Sequence, residues 1–174
     1  ARNAICGRFA TGANETGLPM RVTRIQLKNW KNFQDVDVTL HSRMFLVGVN
    51  AAGKSNFLDA FRFIRDVVEH GVGKAVQGRG GLTKLRCLYA RQEPDIRLAF
   101  TLDDVWEYEL ELTSAKQFPV VIKRECVRKD GTTILDRPDA LDEKDIQRRT
   151  QTALEQVSAN QAFRDIANFF RSIE

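Results

Sequence analysis

The chain has 174 residues, of which 43% are hydrophobic and 29% charged, as in a soluble globular domain with one real core. No apolar run reaches the roughly 18 residues that span a bilayer, and no apolar h-region follows Arg2 or Arg8. The expectation is a cytoplasmic protein with no membrane attachment. Cys6, Cys87 and Cys126 are far apart and odd in number, and His41 and His70 are the only histidines. That argues against a disulfide framework and against a His/Cys metal centre, and it fits a reducing compartment. A net charge of +4 permits nucleic-acid contact without demanding it. The basic excess is partly local. Arg62, Arg65, Lys74, Arg79, Lys84, Arg86, Arg91 and Arg97 stand against Asp66, Glu69, Glu93 and Asp95. A solvated basic face and a phosphate or DNA surface are both open.

Residues 1–19 hold glycines and a proline but no sustained period, and read as a disordered or non-native extension. Met20 opens the patterned part, residues 20–174, and reads as the native start. In Val22–Leu27 and Val36–Leu40 apolar and polar residues alternate, which predicts a half-buried antiparallel pair. Phe45-Leu46-Val47 is continuously apolar and predicts a central strand covered on both faces. Phe57, Leu58, Phe61, Ile64, Val67 and Val68 recur at helical spacing, with Gly71 placed to end the helix and His70 in its last turn. Residues 71–81, glycine-rich and basic, read as a mobile loop. Ile96–Leu102 and Val105–Leu112 alternate around the turn signal Asp103-Asp104. Val120–Val127 and Thr133–Leu135 flank a second turn at Lys129–Thr132. Beyond Pro138 the pattern is helical from Leu141 to the end.

The chemistry lies between the third strand and the first helix. Gly48, Val49, Asn50, Ala51, Ala52, Gly53, Lys54 and Ser55 fit G-x-x-x-x-G-K-[ST], a phosphate-binding loop. Glycines let the backbone curl so that successive N–H groups meet one anion. The helix N-terminus adds partial positive charge. Lys54, the one residue expected to act catalytically, reaches the β- and γ-phosphates, and the Ser55 hydroxyl completes a Mg²⁺ shell. The flanking apolar strand and amphipathic helix make a chance glycine-rich turn a poor alternative.

The version of the loop is informative. The line I25-Q-L-K-N-W-K-N-F33, then V36-D-V-T-L40, then F45-L-V-G-V-N-A-A-G-K-S-N-F-L-D-A60 resembles the N-terminal segment of RecF/SMC-type ABC ATPases. Asn50, Asn56, Leu58, Asp59 and Ala60 fit that family's form. Within it, the prokaryotic AAA family ATPases linked to repair and anti-phage defence are the nearer likeness, and Asn160–Phe163 with Phe169-Phe170 extends it to the end of the chain. Trp30 stands where Phe is usual, Asn32 where Ser is usual, and Ala51 where Gly is common; none is expected to change the chemistry. The resemblance implies an α/β P-loop fold: the N-terminal lobe of an ABC-like ATPase, with a mixed sheet, an antiparallel β subdomain and C-terminal helices. It implies ATP and Mg²⁺ as cofactors, and it places Lys31 near the nucleotide, against the plainer reading of a surface lysine.

That family also uses an L-S-x-G signature, an apolar strand ending in Asp-Glu and a switch histidine. No L-S-x-G occurs here. The run Leu98–Asp104 imitates the acidic strand, but it alternates and reads better as a hairpin. Gln77 and Gln92 read as surface residues rather than as a nucleotide-sensing glutamine. The expectation is therefore a Walker A lobe, incomplete by itself. Its partner would be a C-terminal lobe or a second ATPase subunit, as in a homodimer, coupled to DNA or a nuclease effector. A non-catalytic, nucleotide-gated binding module and a small P-loop kinase are the alternatives.

Overall fold

The computed structural model describes residues 20–89 and 95–174. The reading of residues 1–19, Cys6 and Gln92 fall outside them. Strands β1 (Val22–Trp30) and β2 (Phe33–Thr39) form the expected antiparallel pair, with Ile25 opposite Val38 and Leu27 opposite Val36. Helix α1 runs Lys54–His70, and Gly71, at φ 89°, returns its N–H to Val67. Short helices α2 (Val72–Gln77) and α3 (Leu82–Leu85) follow. Then come β3 (Ile96–Leu102), β4 (Trp106–Ala115), β5 (Phe118–Lys129) and β6 (Thr132–Arg137), α4 (Ala140–Lys144) and α5 (Arg164–Arg171).

The six strands form one antiparallel sheet in the order β2-β1-β3-β4-β5-β6. Alternation gives it two unlike faces. One carries Ile25, Leu27, Leu98, Phe100, Tyr108 and Leu110, all buried. On it, rings connect the helices to the sheet. Phe61 of α1 meets Phe100 at 5.8 Å, and Phe170 of α5 meets Phe100 at 5.2 Å and Tyr108 at 5.7 Å. The other face is laced by cross-strand pairs, Arg97 with Glu109, Arg128 with Glu107 and Arg24 with Asp37. The hydrogen bonds from Arg24 bring the exposed Asp37 carboxyl down to about 2. Both turn signals hold. Asp103 and Asp104 take positive φ, and Asp130-Gly131 does so between the paired Lys129 and Thr132.

Three expectations change. Phe45-Leu46-Val47 is not a covered central strand. Phe45 and Val47 are each 67% exposed, Leu46 is half-buried, and the segment joins none of the six strands. The antiparallel register is therefore complete without it, and the parallel part of a mixed sheet is absent among the described residues. The glycine-rich 71–81 segment is not an open loop, because burying Val72, Ala75 and Val76 against the core winds it into α2. Finally, the region after Leu141 is not one helix. Residues 146–150 and 161–163 are 3₁₀ turns, with irregular backbone between.

The break has a cause. Glu125 is fully buried and accepts from the backbone N–H groups of Ala153 (2.7 Å) and Leu154 (3.1 Å), from the Tyr108 hydroxyl and from Arg137. Arg137 in turn donates to the carbonyls of Arg148 and Gln151 and forks onto Asp142. Buried side chains thus claim backbone groups that a continuous helix would need for its own ladder. Burial pushes the Glu125 carboxyl up from its usual range, against the pull of its donors. Arg137 holds Asp142 well below it.

Replacing Arg137 by Met should leave the buried Glu125 without its cation and Asp142 with Arg148 alone. It should lower the unfolding free energy by about 3–5 kcal/mol in urea titration. Asp142 binds fewer protons folded than unfolded, so its contribution is present above the unfolded carboxyl value and is lost as pH falls below about 4. Asp142→Asn should flatten that acid limb of the stability curve.

Candidate nucleotide-binding site

The loop from Gly48 to Lys54 is bent by two left-handed residues, Ala51 at φ 65° and Gly53 at φ 93°. Ala51 occupies the position where the resemblance favours glycine, and its conformation is the one glycine adopts at least cost. The Ala52 N–H closes on the Val49 carbonyl at 3.2 Å. Gly53 starts α1 without a side-chain cap. The first helical bond runs from Phe57 N–H to the Gly53 carbonyl at 2.9 Å, which leaves the amides of Lys54, Ser55 and Asn56 with no intrahelical acceptor. The first turn holds no acidic residue. A 17-residue helix therefore presents its positive end and free donors at the loop.

Lys54 folds back over the loop. Its Nζ donates to the carbonyls of Gly48 and Val49, each at 2.8 Å. Ser55, Asn50, Ala51 and Ala52 are exposed, and Val49 is 80% exposed. Among the described residues no cluster of three or more His, Cys, Asp or Glu side chains could hold a metal. Ser55, a hydroxyl on the first turn of α1, fits Mg²⁺ arriving on phosphate, since that ion keeps most of its waters and takes few protein ligands.

The β1–β2 hairpin tip docks on this turn. Asn29 and Lys31 both take positive φ, 57° and 52°, and turn the chain over Trp30. Trp30 is fully buried against Phe63, ring to ring at 5.2 Å, and its indole N–H donates to the Asn56 carbonyl at 2.8 Å. The Asn56 amide donates to Asn32 Oδ1 at 2.8 Å. A Cβ on Gly53 would overlap Asn32 Nδ2 and come within 2.9 Å of Phe33 Cζ. Trp30 and Asn32, read from the sequence as neutral departures, are thus structural contacts of the loop; phenylalanine has no N–H to give Asn56.

Lys31 sits on the same tip but not on the loop. Its Nζ pairs with Asp59 at 2.6 Å. Asp59 also accepts three hydrogen bonds from Arg79, which reaches Asp66 as well and stacks on Phe63 at 5.2 Å. Burial pushes the Asp59 carboxyl up, but Arg79 and Lys31 outweigh it and hold it below its usual value. The Arg79 side chain is 13% exposed, so this cation of the basic segment is spent internally, whereas Lys84 is exposed. A groove of about 580 Å³ along α1 and α2 is lined by Lys31, Asp59, Asp66, Lys74 and Arg79. None of the loop residues 48–56 lines it. Gln77 is exposed at the end of α2, and Leu98–Asp104 is a hairpin, as expected.

Trp30→Phe should lose the indole bond and leave a small void in the buried site, costing about 1–3 kcal/mol. Trp30→Ala should cost about 3–5 kcal/mol, because it empties a fully buried site. Urea denaturation of the two variants checks the split between hydrogen bond and packing.

A family model described as "AAA domain, putative AbiEii toxin, Type IV TA system" matches residues 43–168. Endonuclease GajA of Bacillus cereus (strain VD045) is 40% identical over 47 residues, 27% of this chain and 8% of GajA. Among solved structures, the recombination mediator protein RecF with ATPrS is 20% identical at a TM-score of 0.41, over 72% of this chain and 29% of RecF. An SMC ATPase structure, from work on ATP-driven dimerization and DNA-stimulated activation, is 16% identical at 0.40, over 66% of this chain and 72% of that one. The chain spans less than a third of the length of GajA and of RecF.

Proposed function

Since the chain belongs to this AAA-domain family, we propose that it is the Walker A lobe of a RecF/SMC-like ATPase and binds ATP with Mg²⁺ at residues 48–56. The single observation that carries the reading is the uncapped, acid-free N-terminus of α1, opening directly from a loop bent by Ala51 and Gly53. A triphosphate would take the free amides and draw Lys54 off the Gly48 and Val49 carbonyls. Ser55 would hold the metal. Lys31, one residue before the tip that touches Gly53, is assigned as a second cation for the nucleotide, available once it leaves Asp59.

The segment before the loop supports a partner. Phe45, Val47 and Val49 alternate and are all exposed, while Met44 and Leu46 pack inward on the core. An apolar row of this kind at the mouth of a phosphate loop suits a C-terminal ATPase lobe or a second subunit. Hydrolysis, and coupling to DNA repair or anti-phage defence through DNA or a nuclease, are assigned to that larger assembly.

The test is direct. The 174-residue chain should bind a fluorescent ATP analogue in the presence of Mg²⁺, and Lys54→Ala should abolish the signal without moving the thermal midpoint. ATP turnover by the wild-type chain should not exceed that of Lys54→Ala. Lys54-dependent hydrolysis by the chain alone would show that it is a complete enzyme.

A further inference from the structure

We propose that the carboxamide of Asn32 is a further nucleotide-contacting group, donating from Nδ2 to the α-phosphate of a bound nucleoside di- or triphosphate. The inference rests on the phosphate-loop reading above and deepens it. The position of the amide is fixed at both ends. Asn56 donates to its oxygen at 2.8 Å, and its nitrogen lies against Gly53, where a Cβ would overlap it. The backbone behind it is held by the left-handed Lys31, whose N–H is bonded to the Leu85 carbonyl at 2.6 Å, and by the Trp30 indole on Asn56.

The nitrogen has nothing else to do. Asn32 is exposed, and its Nδ2 makes no hydrogen bond among the described residues. It stands instead beside the turn whose Lys54, Ser55 and Asn56 amides lack intrahelical acceptors. A carboxamide at that rim has two orientations, oxygen or nitrogen toward the loop. An anion in the loop selects the nitrogen, and the Asn56 bond to the oxygen already enforces that choice.

The geometry also says which phosphate. Lys54 points toward Gly48 and Val49, at the start of the loop, and serves the terminal phosphates. Asn32 stands at the opposite end, over Gly53 and Asn56. The phosphate that meets both the first helical turn and Asn32 is the one nearest the nucleoside, which ATP and ADP share.

The experiment measures ATP and ADP binding by the 174-residue chain and by Asn32→Asp and Asn32→Ala. Asp keeps an oxygen for Asn56 Nδ2 but puts a second oxygen where the donor stood. Asn32→Asp should weaken ATP and ADP alike, by about tenfold or more, with the thermal midpoint unchanged, and Asn32→Ala should weaken both by about three- to tenfold. The Asp variant should regain affinity relative to wild type as pH falls from 7 toward 5 and its carboxyl begins to protonate, which a purely structural role for Asn32 would not produce. Wild-type affinity in both variants would overturn the proposal, as would a loss confined to ATP, which would move Asn32 to the terminal phosphate. If the wild-type chain itself bound neither nucleotide, the phosphate-loop reading would fall, and this inference with it.

Discussion

The bond from the Trp30 indole to the Asn56 carbonyl joins the two parts of the molecule that matter most to each other. One is the edge hairpin of an antiparallel sheet; the other is the first turn of the helix that follows the phosphate loop. Because Trp30 is fully buried and Asn29 and Lys31 take left-handed backbone, the tip has one way to sit. Asn32 and Phe33 then fall against Gly53, and the absence of a Cβ there becomes a packing requirement as well as a conformational one. The loop is held from outside as much as by its own turns.

A second set of charges brackets the helix. Asp59, one turn beyond the loop, gathers Lys31 from the hairpin and Arg79 from the segment after α2. Arg79 reaches on to Asp66, so one guanidinium spans two turns of α1. At the far end, Glu155 caps the Val72 N–H at 2.8 Å, just past the C-terminus of α1. It belongs to the same 152–155 stretch whose amides bind Glu125. The buried acid of β5 and the helix of the phosphate loop are therefore linked through a few hydrogen bonds.

Most buried polar groups here are placed where they are answered, Arg86 Nε being the exception among the described residues. Glu125 meets four donors, and Arg137 meets two carboxylates and two carbonyls. Such a network adds little net stability over a well-packed apolar core, but losing one member is costly. Its work here is positional, since it folds the chain after β6 back over the sheet.

Several features were legible in the residues themselves. The spacing Gly48, Gly53, Lys54, Ser55 can do one thing well, and period-2 alternation with Asp-Asp and Asp-Gly turns gave β1 to β6 nearly to their ends, because both signals are local. What tertiary structure decided was everything whose partner lies far along the chain. Phe45 and Val47 are as apolar as a central strand requires, yet exposure depends on what neighbours them, and the sheet closes without them. The glycines at 71–81 favour a loop until the core takes Val72, Ala75 and Val76. Helical periodicity after Leu141 is real, but Glu125 and Arg137 remove the backbone partners that a helix would use. The same holds at the site. The loop is written in the sequence; that Trp30 and Asn32 complete its wall is decided by a hairpin turn that brings residues two dozen positions apart within hydrogen-bond reach.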